Sequence, residues 1–159
     1  MPKSHIGKTC YVASALPATN DATGFEALTW VKVNGFQSHG SLGMTRDNID
    51  SPNLQTGIRH GLKGAGSGRE VPFVFFDVDG DTGQGNLKTL AADAEGLCSV
   101  KIVHGSGINQ APVEGDPVEY AQGYIKDIEP REANDSTDAG FTANFKQNAA
   151  TVVATQPAP

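Results

Sequence analysis

Apolar positions recur with a period of two along most of this chain, and that period predicts strands. The densest case runs over residues 70–76, where Val71, Phe73 and Phe75 alternate with Pro72, Val74 and Phe76. Apolar residues at both parities predict a strand buried on both faces. Asp77, Asp79, Gly80, Asp81 and Gly83 then stop it, because Asp and Gly supply turn conformations that β-branched residues resist. The period changes next: Leu87, Leu90 and Ala91 share one face of a helix predicted over 86–95. Asn86 is its predicted cap and Gly96 its left-handed stop. Residues 99–103 return to strand, with Val100 and Ile102 on one face and Lys101 and Val103 on the other.

Around this unit the pattern is nearly all β. Residues 1–8 form a polar N-terminal arm, and 9–16 alternate as a first strand. Phe25 to Leu28 make one helical turn, and 30–33 a second strand closed by the turn pair Asn34 and Gly35. Trp30 reads as a core anchor. Residues 36–69 hold seven of the nineteen glycines and no aromatic after Phe36. They predict a long loop, with some strand near 41–48 and a turn at 50–53. Loops beyond about 15 residues in compact domains are usually functional or disordered. A loop at 105–116 leads to a long strand at 117–128, with Val118, Tyr120 and Tyr124 opposite Ala121, Gly123 and Ile125. Residues 129–138 are an acidic loop, 141–145 the last strand, and 147–159 an extended tail. The expected fold is a single domain over 1–159, mainly β, a β-sandwich or half-open barrel with one flanking helix around 86–95.

Composition supports this. The chain has 159 residues, nineteen of them Gly and nine Pro, which favours turns over long helices. No run of about 18 apolar residues predicts a membrane span, and residues 1–16 lack the apolar block of a secretory signal. Cys10 and Cys98 match no metal or redox spacing and are expected as buried, reduced thiols. The net charge of −6 argues against phosphate-driven nucleic-acid binding. Its distribution is uneven: residues 1–69 carry seven Lys and Arg against four Asp and Glu, and 70–159 carry five against fourteen. That asymmetry permits head-to-tail contact between identical copies, or simply mixes on one folded surface.

The residues from Phe75 to Thr82 resemble the first motif of haloacid-dehalogenase-type phosphatases, a buried strand ending in Asp-x-Asp-Gly-Thr. That resemblance implies Asp77 as nucleophile, Asp79 as general acid/base and Mg²⁺ between them. Here Asp81 fills the Thr position, and the large parallel sheet that family needs does not follow. The same stretch places Asp77, Asp79 and Asp81 at positions 1, 3 and 5 of a calcium loop, but Thr82 and Lys88 stand where Gly and Glu belong. An Asp/Gly turn leading into a helix explains it as well. His5, His39, His60 and His104 are widely spaced, and Gly64, Gly66 and Gly68 lack the Lys-Ser/Thr of a phosphate loop. No cofactor, no metal and no enzymatic activity are expected.

Taken as a whole, the layout resembles bacteriophage major tail tube proteins and the related secretion-tube proteins of bacteria. The likeness rests on the N-terminal arm leading to residues 25–33, then the Gly-rich stretch with residues 47–54 and 59–64. It continues through the strand, single helix and return strand at 71–103, and the final strands around 117–128 and 140–146. The resemblance implies a self-assembling virion protein of the tail, assembled in the host cytoplasm. Six copies would form a ring, and rings would stack into a tube that conducts DNA without binding it specifically. Implied partners are the protein itself, a tape measure protein inside the tube, tail tip or baseplate proteins and a tail terminator. The candidate subunit contacts are Arg46, Arg59, His60, Lys63 and Arg69 against acidic Glu129, Glu132 and Asp135. A β-sandwich binding module remains the alternative, and a phosphatase using Asp77 and Asp79 a further one.

Overall fold

The computed structural model describes residues 1–158. In chain order they form β1 (Lys8–Ala13), α1 (Ala22–Glu26), β2 (Val31–Val33), β3 (Phe36–His39), β4 (Met44–Pro52), β5 (Arg59–Gly68) and β6 (Glu70–Phe76). Then come α2 (Thr82–Ala92), β7 (Leu97–His104), a short 3-10 turn at Ile108–Gln110, β8 (Pro117–Pro130), β9 (Gly140–Gln147) and β10 (Val152–Thr155). All strand pairs are antiparallel. One sheet runs β2-β1-β7-β8-β9-β6-β3, and β4 pairs only with β5.

The fourteen-residue β8 organises this sheet. Its first part pairs with β7 on one edge and β10 on the other, and its last part pairs with β9. A register shift between Ile125 and Asp127 bends it where one partner gives way to the next. The bend lets the sheet wrap, so that Cys10, Val12 and Val33 from one end meet Val71, Phe73 and Phe75 from the other in one core. α2 packs against β8, β2 and β1 and adds Leu87 and Leu90 to that core. This is the expected mainly β, half-open barrel with a flanking helix.

Several expectations change in detail. The helix starts four residues earlier, at Thr82, because Asp81 and not Asn86 caps it, accepting from the Gln84 amide at 3.0 Å. It ends before Gly96, whose φ of +60° suits a residue without Cβ. A second, five-residue helix, α1, capped by Asp21, begins three residues before the single turn expected at Phe25 to Leu28. β6 is buried on one face only: Val71, Phe73 and Phe75 point inward, while Pro72 and Phe76 are exposed. Buried on both faces instead are the first part of β8 and most of β7, where Cys98, Val100 and Ile102 face the main core. The other face of β7 carries Ser99, Lys101 and Val103, covered by the α1 region through Phe25, Leu28 and Trp30. The tail expected at 147–159 contains β10, which closes part of the β8 edge.

The largest correction concerns 36–69. The expected long loop is strand β3 followed by a hairpin of two long strands, β4 and β5. Propensity hid it, because β5 alternates glycine with other residues and has little to bury.

Candidate assembly surface

The hairpin leaves the body at a tightly tied root. The Arg69 amide donates to the Gly43 carbonyl at 3.0 Å, and the Gln147 amide donates to the Arg69 carbonyl at 3.1 Å. The side chain of Gln147 is fully buried there: its Oε1 accepts from the Gly43 amide at 2.9 Å. Its Nε2 donates to the Ala149 carbonyl and the Thr151 hydroxyl, both at 2.7 Å. One glutamine thus ties the hairpin root to the end of β9 and to the approach to β10. Gly68 passes so close that an added Cβ would lie 1.6 Å from the Gln147 carbonyl oxygen, so no side chain fits. Sequence reading missed Gln147, and its only signal was a polar residue ending an apolar alternation.

Beyond the root the hairpin is exposed on both faces. Register sorts its side chains. Asn48 opposes Lys63, Pro52 opposes Arg59, and Arg46 opposes Gly66, so Arg46, Lys63 and Arg59 share one face. Ile49 opposes Leu62 and Ser51 opposes His60 on the other face. Leu54 at the tip is 99% exposed, and Ile49, Ile58 and Leu62 are all more than half exposed. The predicted basic set is therefore divided: Arg46, Arg59 and Lys63 share one net basic face with Asp50, His60 sits with the apolar pair, and Arg69 stays at the root.

The acidic candidates lie elsewhere. Glu129 is near the end of β8, where the Asn144 amide nitrogen donates to it at 3.3 Å and to Asp127 at 2.6 Å. Glu132 and Asp135 are exposed in the loop between β8 and β9. Arg131 holds that loop, pairing with Asp138 and donating to Gln37 of β3 at 2.6 Å. Among the described residues the ion pairs are Lys88–Asp77, Lys126–Glu70 and Arg131–Asp138. None joins the basic hairpin face to Glu129, Glu132 or Asp135 within one chain.

The Asp-rich motif serves the fold. Asp77 is exposed and lies 4.0 Å from Lys88, and Asp79 is exposed in the turn. Burial raises the pKa of Asp81, but the Gln84 amide and the side chain and amide of Asn34 lower it further, leaving it below the usual carboxylate range. No three metal-ligating side chains cluster among the described residues. Burial pushes both Cys10 and Cys98 up to about 12, so neither is a reactive thiol.

One polar group is in an unexpected place. Lys101 is buried on the outer face of β7, with its Nζ 5.3 Å from the Tyr11 ring centre and 5.9 Å from those of Trp30 and Tyr120. Desolvation lowers its pKa, opposed by Glu26. Phe25 stacks on Tyr120 at 5.0 Å, and the Trp30 indole donates to the Phe25 carbonyl at 3.0 Å, so the anchoring role expected for Trp30 holds.

No described protein family matches this sequence, and no curated protein does. Solved structures do match. A chain of the sheath–tube complex of the extracellular contractile injection system PVC, in its extended state, superposes with a TM-score of 0.66 at 10% identity. The match covers 98% of this chain and 92% of that one. The SPP1 tail tube gives 0.65 at 11% identity over 98% and 81% of the two chains. The tail of an empty gene transfer agent particle, determined with six-fold symmetry, gives 0.62 at 14% identity over 98% and 99%. The fold of this chain is the fold found in these tube and tail assemblies.

Proposed function

We propose that this chain is a structural tail tube subunit: six copies close into a ring, and rings stack into a tube that conducts DNA. The observation that carries this reading is the β4–β5 hairpin, two long strands exposed on both faces and built around Ile49, Leu62, Leu54 and Ile58. An isolated two-stranded hairpin is marginal in water. Such an element is maintained only where a second molecule covers it. The free edges of β2, β3 and β10 add backbone groups that a neighbouring copy can pair. The six-fold symmetry of the gene transfer agent tail supports the ring number.

In this reading Arg46, Arg59 and Lys63 of one copy meet Glu129, Glu132 and Asp135 of another, while the apolar hairpin face packs on a neighbour. His60 lies within that apolar contact and Arg69 braces its root. The partners are further copies, together with terminator, cap and baseplate proteins of the kind named in the related assemblies. A tape measure protein and the genome would occupy the channel. The protein acts without catalysis or cofactor, in the virion tail, after assembly in the host cytoplasm.

Negative-stain electron microscopy of the purified protein, dilute and concentrated, tests the reading. Hollow rings or tubes with six-fold end views are expected. Featureless particles at every concentration, even with a terminator or baseplate initiator added, overturn it.

A further inference from the structure

We propose that Lys8 and His39 form a proton-operated latch on the root of the β4–β5 hairpin; its bearing on assembly rests on the tube reading. Lys8 is the first residue of β1 and His39 the last of β3, two strands that do not pair in the sheet. Lys8 Nζ lies 3.4 Å from His39 Nε2. His39 Nδ1 lies 2.6 Å from the Gly40 carbonyl oxygen, which can only accept, so Nδ1 carries the ring proton. Nε2 is then a free lone pair facing an ammonium group that can only donate. The imidazole packs beside Phe36 and Phe73, with centroids 5.9 and 6.0 Å away and the two phenyl rings 6.4 Å from each other. It cannot turn from Lys8 without losing both contacts.

The contact sits at the hinge of the hairpin. Residues 40–43 join β3 to β4, and Gly43 takes a φ of +144° before its amide reaches Gln147. The N-terminal residues Ser4 to Gly7 lie across a cleft from Phe36 to Ser41, so the same latch also holds the arm beside this hinge.

A proton taken from solvent at Nε2 removes the acceptor and leaves two cations in contact. Glu119 shares a cleft with Lys8 and His39 and is the anion to which Lys8 can turn. The remaining charged groups here are His5 on the arm and, in the adjoining cleft, Lys3, His104 and Asp116. Asp116 is already engaged by Ser106 and the Val113 amide. Protonation thus opens the latch, frees residues 4–6 ahead of the sheet-bound Gly7 and Lys8 and loosens the hinge, so the hairpin is less ordered in acid.

Amide hydrogen exchange on the dilute protein tests this between about pH 8 and about pH 5, with intrinsic rates divided out. Protection at residues 40–43 is expected to fall about tenfold in acid for the wild type. In His39→Gln, whose side-chain oxygen accepts at every pH, protection should hold across the range. In Lys8→Met it should be low throughout. A wild type without the acid loss, or His39→Gln with the same loss, overturns the latch. Nitrogen chemical shifts of His39 in the wild type give a check that needs no variant: a proton on Nε2 in place of Nδ1 at high pH also overturns it. These readouts need no assembled tube, so their failure is distinct from the absence of tubes in micrographs.

Discussion

At the scale of single residues, buried polar groups show where the fold is optimised and where it is not. The Tyr120 hydroxyl is buried without a hydrogen-bond partner among the described residues, while its ring stacks on Phe25. Tyr120→Phe keeps the stack and removes the orphaned donor, so it should stabilise the protein by about 1 kcal/mol in urea unfolding. A loss of stability would show that the hydroxyl has a partner. Asp81 is the opposite case, caught by the Gln84 amide and by Asn34. Asp81→Ala should cost about 1–2 kcal/mol, the worth of a helix cap. The folded-state pKa of Asp81 lies below its unfolded value. Its contribution is therefore complete above the unfolded pKa and is lost as pH falls through the folded one. The gap between variant and wild type should be full at neutral pH and close in acid, as thermal melts across pH would record. In the sequence Asp81 looked like a displaced Thr or a calcium ligand, because a cap and a ligand use the same residue types. The burial of Lys101 was not legible at all, since the rings around it, Tyr11, Trp30 and Tyr120, come from distant parts of the chain.

At the scale of elements, periodicity located six of the eight strands of the sheet, missing β3 and β10, because each of the six has an apolar face that must be buried. It failed where burial is not the cause of structure. β6 read as buried on both faces because Pro72, Val74 and Phe76 are apolar, yet on that face Pro72 and Phe76 stay exposed and Val74 is only half-buried. β10 was hidden among small polar residues, and its order comes from pairing with β8. The hairpin was hidden because its strands have no core side within their own chain. Its independence makes a prediction. Replacing residues 45–67 by a short turn between Met44 and Gly68, which are directly paired, leaves the Gln147 knot and the core intact. The shortened protein should melt within a few degrees of the wild type and yet form no tubes. Circular dichroism and electron microscopy on one preparation would show both. A collapse in melting temperature would mean that the hairpin serves the fold and not assembly.

At the scale of the whole molecule, the charge imbalance seen along the sequence becomes a separation in space. Three of the basic residues of the first half project on one hairpin face, and Glu129, Glu132 and Asp135 lie at the far end of β8 and in the loop beyond it. The hairpin root joins the sheet beside Gln147, which pairs with Gly123 near the middle of β8. Neither group neutralises the other within a chain, so each is available to a second copy, in a heterologous contact that can repeat. Reversal of one partner should therefore be repaired by reversal of the other. Arg59→Glu with Lys63→Glu should slow tube growth at low salt by about tenfold or more, since like charges then face each other across the contact. Glu132→Lys with Asp135→Lys should do the same. All four changes in one chain restore opposite signs and should recover most of the growth rate measured by light scattering. The wild-type rate itself should fall as salt rises and the Debye length contracts to about 8 Å or less. If the fourfold variant is no better than either double variant, the two surfaces do not meet, and the hairpin's apolar face with Ile49 and Leu62 must set the contact alone.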